Sequence, residues 1–372
     1  MTLNNTAHGA SAPKITVSVD AMGGDAGPAE AVAGCLLSIQ KNPRLGLVLH
    51  GDAAVLAPLV NRHEALKDRA SITHADGVVT MDEKPSHVMR HGKGTSMWSC
   101  VDSVRDGAAS AAVSCGNTGA LMALSMLRLR KLPGVDRPAI ACMWPKQGSR
   151  AFNVMLDVGA DVRADPDNLM QFALLGTAYY RNAFNVSRPR VGLLNVGTED
   201  HKGRTEIREA HELIAAMSEI GRYDYVGFVE GSDIPAAHVD VIVTDGFTGN
   251  VALKTAEGTA RLIRDTLHEE IAASWLSKLA AIPSIGTFRR LQKRIDPRRV
   301  NGGVFLGLNG TVVKSHGSAD ATGISAAIKL AFELAQSGFQ GRMSERLAAV
   351  ARSAEDHRAS IAARAENGQG EG

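Results

Sequence analysis

Short runs of Val, Ile and Leu alternate along the chain with longer stretches that carry apolar residues at helical spacing. The apolar runs are candidate strands and cover residues 15–20, 45–51, 111–116, 139–144, 152–159, 190–197, 225–231 and 239–246. Apolar strands separated by helices are typical of βαβ units, in which helices cover both faces of a parallel sheet. The pattern predicts a three-layer α/β/α sandwich with a mostly parallel sheet.

The chain divides into one catalytic unit with a helical insertion and polar ends. We predict disordered tails at 1–13 and 365–372, a catalytic domain over 14–338 and a C-terminal helix over 339–364. Within the domain, residues 248–282 have a helical pattern, and a second such pattern follows the break at Pro283. These two patterns predict a helical hairpin that projects over about residues 255–300.

Composition narrows the class of protein without identifying an activity. Lys and Arg number 41 against 39 Asp and Glu, so net charge gives no support to nucleic-acid binding. The cysteines are far apart and without CxxC spacing, which favours reduced thiols over a zinc or disulfide site: Cys35, Cys100, Cys115 and Cys142. No signal-peptide pattern or long apolar run is present, so we expect a cytoplasmic protein.

Most candidate strands end in glycine beside a polar residue. Ligands of open α/β sheets bind beyond the carboxyl ends of the strands, so the endings together favour a shared site, although each glycine can serve only a turn. Two glycine-rich turns stand out, and their candidate residues are Asp20, Gly23, Gly24, Gly116, Asn117, Thr118 and Gly119. The second turn can hold an anion at a helix N-terminus, or Asn117 or Thr118 can merely cap that helix.

Three further loops add amide, acidic and basic side chains. Their candidate residues are Lys84, Arg90, Lys93, Ser96, Asn195, Glu199, Lys202, Asp245, Gly246, Asn250 and Lys254. Lys314 and His316 follow on a predicted strand and turn. Basic residues on glycine-rich loops suit phosphate, with a solvated loop as the alternative.

Ordered motifs over roughly residues 15–335 resemble one family. They are VDAMGGDAGP, DEKPS, GNTGALMAL, LPGVDRPAIA, LDVGA, LLNVG, VEG, DGFTGNVALKT and LGLNGTVVKSHG. Together they resemble the bacterial phosphate acyltransferases, which make acyl phosphate from acyl-acyl carrier protein. The resemblance implies a fold shared with phosphate acetyltransferases and isocitrate dehydrogenases, and a homodimer with the helical projection at its interface. We expect no cofactor. It also implies a membrane glycerol-3-phosphate acyltransferase as the downstream partner.

Two positions depart from the family pattern. Cys115 stands where the family usually has Ala, and Glu199 and Asp200 stand for a usual Glu-Glu pair. The first departure argues against covalent catalysis by Cys115, as does the lack of a neighbouring His with a supporting acid.

Phosphate is already an anion at neutral pH and a thiol is a tolerable leaving group, so direct attack requires neither a strong base nor a metal. We hypothesise that the 114–119 turn binds phosphate together with basic residues among Lys93, Lys202 and Lys254. Asn117, Asn195 or Asn250 then orients the thioester, and Asp245 organises its loop. His316 either protonates the departing thiolate or bonds the backbone.

The predicted projection combines an apolar stripe with a basic cluster. The residues proposed for contact with a membrane or the acidic carrier protein are Trp275, Phe288, Arg289, Arg290, Lys293 and Arg294. A dimer-interface helix pair with a solvated basic edge is the alternative. Two rival functions remain open: a short-chain phosphate acyltransferase that uses acyl-CoA, and a non-catalytic scaffold that docks carrier protein or membrane.

Overall fold

The structure, a computed structural model, describes residues 15–148, 152–275, 283, 286–287 and 302–349. The strands are β1 (Ile15–Asp20), β2 (Leu45–Gly51), β3 (Ala70–His74), β4 (Ala111–Ser114), β5 (Ala139–Pro145), β6 (Phe152–Leu156), β7 (Arg190–Leu194), β8 (Asp224–Val229), β9 (Val241–Val243), β10 (Gly303–Leu306) and β11 (Thr311–Lys314). The helices are α1 (Gly27–Lys41), α2 (Ala53–Asn61), α3 (Glu64–Lys67), α4 (Pro85–His91), α5 (Ser96–Arg105), α6 (Thr118–Leu129), α7 (Pro166–Phe184), α8 (Thr205–Ala216), α9 (Ser218–Gly221), α10 (Gly246–Ala272), α11 (Ala321–Gln336) and α12 over 339–349.

All the strands join one 11-stranded sheet, in the order β3-β2-β1-β4-β11-β10-β5-β6-β9-β7-β8. Most neighbours are parallel, but β10 is antiparallel to β11 and β5, and β5 is antiparallel to β6. The strands from β3 to β11 therefore run one way and those from β6 to β8 the other. The strand endings expected to favour a shared site lie at two opposite edges of the sheet, because this reversal separates the two sets of carboxyl ends.

Helices cover both faces of the sheet. One apolar core includes side chains of α1, α2, α7, α8 and α11, and a second includes those of α5 and α6 with Ala252 and Leu253 of α10 packed against it. In the eight strands from β4 to β11, alternate residues belong to the two cores, as expected for a sheet buried on both faces. The three-layer α/β/α prediction is confirmed. On the second face, α6 and α10 leave the middle of the sheet open between them.

Two strands lacked a recognisable signal in the sequence. β3 is a partly exposed edge strand with polar residues at alternate positions, and β10 has four residues. Short or half-exposed strands lack the continuous apolar run that identified the others.

The helical insertion is only partly described. Helix α10 begins at Gly246 and ends at Ala272, so the helix predicted to reach residue 282 ends earlier. The predicted second arm lies almost wholly outside the described residues, as do both predicted tails. In the described part of the chain, no helix has the length and hydropathy that a membrane crossing requires.

A buried charge cluster around Asp240 connects chain segments in the part of the sheet that contains β6 and β7. Asp240 accepts hydrogen bonds from Lys146 Nζ at 2.5 Å, from Arg190 N and Nε at 2.9 Å each, and from Tyr180 Oη at 3.3 Å. Burial alone would raise the pKa of Asp240, but the hydrogen bonds from Arg190 and Lys146 lower it well below its usual range. The carboxylate thus connects the end of β5, the start of β7 and the segment just before β9.

Asp240→Asn should lower the free energy of unfolding by about 3 kcal/mol at pH 7, because it removes the buried negative charge that accepts hydrogen bonds from Lys146 and Arg190. Since the folded pKa is depressed, the wild-type contribution is full above the unfolded pKa and declines as the pH falls below about 4. Urea denaturation at several pH values measures both effects. Exposed Asp68→Asn is the matched control, and an equal loss in both variants would contradict the assignment.

Candidate functional site

A cleft of about 570 Å³ lies on the open face of the sheet, between α6 and α10. Its polar side chains are Asp25, Thr118, Asn250, Lys254, Glu257, Lys314, Ser315 and His316. Its larger apolar side chains are Met81, Ile140, Cys142, Met143, Trp144, Pro145, Val158 and Leu253. The cleft therefore joins a charged end, built near the carboxyl end of β11, to an apolar floor formed mainly by β5 and α10.

The turn after β4 is organised by buried hydrogen bonds. Ser114 Oγ donates to Asp20 Oδ2 at 2.7 Å and accepts from Gly116 N at 3.0 Å. Burial raises the pKa of Asp20, while hydrogen bonds including that from Ser114 oppose the rise. A Cβ on Gly23 would clash with the Asp20 carboxylate, so the two glycine-rich turns fit together only with glycine at this position.

Asn117 caps α6, as the capping alternative expected. Its Oδ1 accepts from Ala120 N at 3.0 Å, and its Nδ2 donates to the carbonyls of Met81 at 2.6 Å and Glu83 at 3.1 Å. The amide is thus engaged in holding the turn. The first N–H groups of a helix have no intrahelical acceptor, so those of Thr118 and Gly119 can donate to an anion in the cleft.

Lys314 is a buried cation at the end of β11. The residue is 9% exposed, and its Nζ donates to the carbonyls of Ser315 and, at 3.3 Å, Cys115. Burial lowers the pKa of Lys314 to about 8, and the charge of Lys254 acts in the same direction. The sequence placed Lys314 on a strand but gave no sign that its side chain would be buried beside the 114–119 turn.

Lys254, Glu257 and His316 form a second charged group at the charged end of the cleft. Lys254 Nζ lies 2.8 Å from Glu257 Oε2 and 3.1 Å from His316 Nε2. Burial favours the neutral acid, but His316 and Lys254 outweigh it and lower the pKa of Glu257 to about 2. The contacts join α10 to the turn after β11, which explains how residues 62 positions apart meet.

Neither cysteine near the cleft is suited to nucleophilic attack. Burial raises the pKa of Cys142 to about 12 and also raises that of Cys115. A thiol must ionise to act as a nucleophile, so the apolar surroundings disfavour a covalent thioester on either residue.

The loop after β7 forms a separate group. Asn195 Nδ2 donates to the carbonyl of Lys202 at 3.1 Å, and Lys202 Nζ pairs with Glu199 Oε1 at 2.7 Å. Asp245 caps α10 through Thr248 N at 2.8 Å and accepts from Arg204 Nη2 at 2.6 Å. These residues follow β7 and β9, at the edge opposite to Asp20 and Lys314.

Asp157 connects this second group to the cleft. Its carboxylate accepts from the N–H groups of Ile140, Gly159, Ala160 and Asp161, at 2.6 to 3.1 Å. A Cβ on Gly246 would clash with that carboxylate, so Gly246 serves the packing of α10. The loop after β6, including Val158 and Gly159, then lines the cleft next to Asn250.

The site residues predicted from the sequence fall into those that line the cleft, those that support it and those that lie elsewhere. Thr118, Asn250, Lys254 and His316 line the cleft, while Asp20, Gly23, Gly24, Gly116, Asn117 and Gly119 build the turns beside it. Lys84, Arg90 and Lys93 are exposed outside the cleft lining, and Ser96 is buried at the start of α5. Of the proposed contact residues on the projection, Trp275 is 69% exposed, and Phe288, Arg289, Arg290, Lys293 and Arg294 lie outside the described residues. Glu257 was missed, because its role depends on two partners that only the fold brings near.

Comparison with solved structures supports the architecture. EutD phosphotransacetylase from Staphylococcus aureus superposes with a TM-score of 0.56 at 14% identity, covering 87% of this chain and 95% of that one. A phosphotransacetylase from Streptococcus pyogenes gives 0.57 at 17% identity, covering 87% and 94%. At these identities the likeness establishes the fold alone.

Sequence comparison establishes the family. The family model described as "Fatty acid synthesis protein" matches residues 15–342. A phosphate acyltransferase of Cereibacter sphaeroides is 63% identical over 345 residues, which are 93% of this chain and 94% of that protein. A phosphate acyltransferase of Paracoccus denitrificans is 66% identical over 334 residues, or 90% of each chain. The chain therefore belongs to the phosphate acyltransferase family.

Proposed function

We propose that this protein transfers a long-chain fatty acyl group from acyl-acyl carrier protein to inorganic phosphate, giving acyl phosphate for phosphatidic acid and phospholipid synthesis. The observation that carries the proposal is the cleft, in which a cationic end adjoins an apolar floor. Lys314, Lys254 and the N-terminus of α6 suit phosphate, and the side chains from Ile140 to Pro145 suit an aliphatic chain. Family membership supports acyl transfer to phosphate in general.

The reaction needs positioning and charge stabilisation more than proton abstraction. Phosphate lies against the N–H groups of Thr118 and Gly119, near Lys314, and one phosphate oxygen attacks the thioester carbonyl carbon. The carbonyl electron pair moves onto its oxygen, and the oxyanion is stabilised by Lys254 or Asn250. Collapse breaks the C–S bond, and the thiolate leaves with its electron pair and takes a proton from His316 or water. The products are acyl phosphate and the carrier thiol.

We also propose a homodimer that uses the exposed apolar side of α10. Phe247, Val251 and Leu262 are 62%, 49% and 66% exposed, which is unusual for large apolar side chains on one side of a helix. Peripheral contact with an anionic membrane, and transfer of the product to a membrane glycerol-3-phosphate acyltransferase, belong to the same proposal.

The donor assignment predicts phosphate-dependent release of free thiol from long-chain acyl-acyl carrier protein, at a kcat/KM well above that with acetyl-CoA. Thiol release and acyl phosphate formation are measured together, with and without phosphate. A preference for acetyl-CoA would favour the short-chain rival, and no phosphate-dependent turnover with either donor would favour the scaffold.

Lys254→Met should lower kcat/KM for phosphate about 100-fold, because it removes a cation that stabilises charge in the transition state. Steady-state kinetics and a thermal melt separate this loss from unfolding. Exposed Lys329→Met on α11 is the matched control and should keep wild-type kinetics. Normal kinetics in Lys254→Met would remove that residue from the mechanism.

The pKa of Lys314, which is about 8, predicts a pH effect on phosphate binding. Below pH 8 the amine is charged and attracts phosphate; above it the charge is lost, so KM corrected for the phosphate dianion should rise. Lys314→Arg stays charged and should show no such rise between pH 7 and pH 9. Parallel profiles in the two proteins would exclude Lys314 as the titrating group.

A further inference from the structure

The segment from Lys84 to Lys93 is a basic stretch without an acidic residue. Lys84, Arg90 and Lys93 are exposed, and among the residues that the structure describes no ion pair joins any of them to a carboxylate. Of the two acids just before them, Glu83 is paired with His87 at 2.7 Å. Because the three cations lie outside the cleft lining, phosphate binding does not account for them.

This stretch begins at the rim of the cleft. Met81 lines the cleft, and Asn117 Nδ2 bonds the carbonyls of Met81 and Glu83, which fixes the start of the segment against the N-terminus of α6. Helix α4 follows from there and packs against α6, and its seven residues extend about 10 Å. The cations therefore lie within a short distance of the cleft mouth.

Apolar side chains lie among the cations. Val88 is fully buried and anchors α4, whereas Met81 and Met89 are 42% and 40% exposed. Methionine adapts to irregular partner surfaces, and cations around an apolar centre are typical of surfaces that bind an acidic, amphipathic partner. We name the set Met81, Lys84, Met89, Arg90 and Lys93 the α4 rim.

A second basic stretch of the described chain, residues 128–137, differs from the α4 rim because most of its cations are bonded within the fold. Arg128 is paired with Asp102 at 2.6 Å, Arg137 with Asp161 at 3.5 Å, and Lys131 donates to the carbonyl of Asp136 at 2.8 Å. It also lies where β11 begins, whereas the charged end of the cleft lies where β11 ends. Three of its four cations are used within the fold, so this stretch offers less to a partner.

We propose that the α4 rim docks the acidic carrier protein, so that the carrier's flexible thiol arm reaches over Met81 into the cleft. The proposal rests on the proposed function, which makes the carrier the acyl donor. Docking at the mouth raises the local concentration of the thioester and adds no group to the chemistry. The α4 rim should therefore affect KM for the carrier and leave kcat nearly unchanged.

The test is the triple variant Lys84→Glu, Arg90→Glu and Lys93→Glu. With acyl-acyl carrier protein, its KM should rise at least tenfold and the salt dependence of the wild-type KM should disappear. With the same acyl group on CoA, kinetics should match the wild type. The matched control reverses three exposed cations on the opposite helix layer, in Lys41→Glu, Arg62→Glu and Lys329→Glu, and should keep the wild-type KM.

Binding of fluorescently labelled holo-carrier, measured by anisotropy, gives a second readout that needs no turnover. The triple variant should lose affinity at least tenfold while its melting temperature stays that of the control. An unchanged Kd for the carrier would overturn the proposal. If the variant with unchanged Kd also lost retention on vesicles containing anionic lipid, the α4 rim would be a membrane contact instead. Failure of the wild type to use acyl-acyl carrier protein would instead refute the donor assignment.

Discussion

The reversal of strand direction at β10 and β5 is the constraint on which the rest of the structure depends. Two parallel sets of strands running in opposite directions share one sheet, and the antiparallel strands between them allow continuous hydrogen bonding. Each helix that connects two parallel strands lies over its own set of strands, so the helices of neither set cover the junction completely. The cleft forms where this helix cover is missing, over the sheet face and not only at a strand edge.

This position gives the cleft its mixed chemistry. Strand residues that would form core elsewhere, such as Ile140 and Cys142, become the floor of an accessible cleft. Charged groups then come from chain segments that reach the same point from different directions: Lys314 from the end of β11 and Lys254 from the third turn of α10. Each is held by backbone or side-chain acceptors before any substrate enters, so little rearrangement is needed to bind an anion.

The sequence allowed the fold class to be predicted, because long apolar strands and helical periodicity are local properties. It also identified the glycine-rich turns and most residues of the charged end, including Lys254 and His316. It did not indicate the reversal at β10, which depends on a four-residue strand, and so it grouped Asn195 and Lys202 with residues at the other edge. The burial of Lys314 and the pairing of Glu257 with two cations arise from contacts across the fold, which no local pattern records.

Helix α10 connects the two polar groups, the one in the cleft and the one in the loop after β7. The helix is capped by Asp245 at one edge of the sheet and contributes Lys254 and Glu257 near the other, so it connects the loop after β7 to the turn after β11. Gly246 and Gly249 allow its first turn to lie directly on the Asp157 loop, and this close packing leaves little room for α10 to shift alone. A change at Arg204, which pairs with the cap residue Asp245, can therefore reach the cleft through the orientation of α10, without contact between its side chain and the substrate.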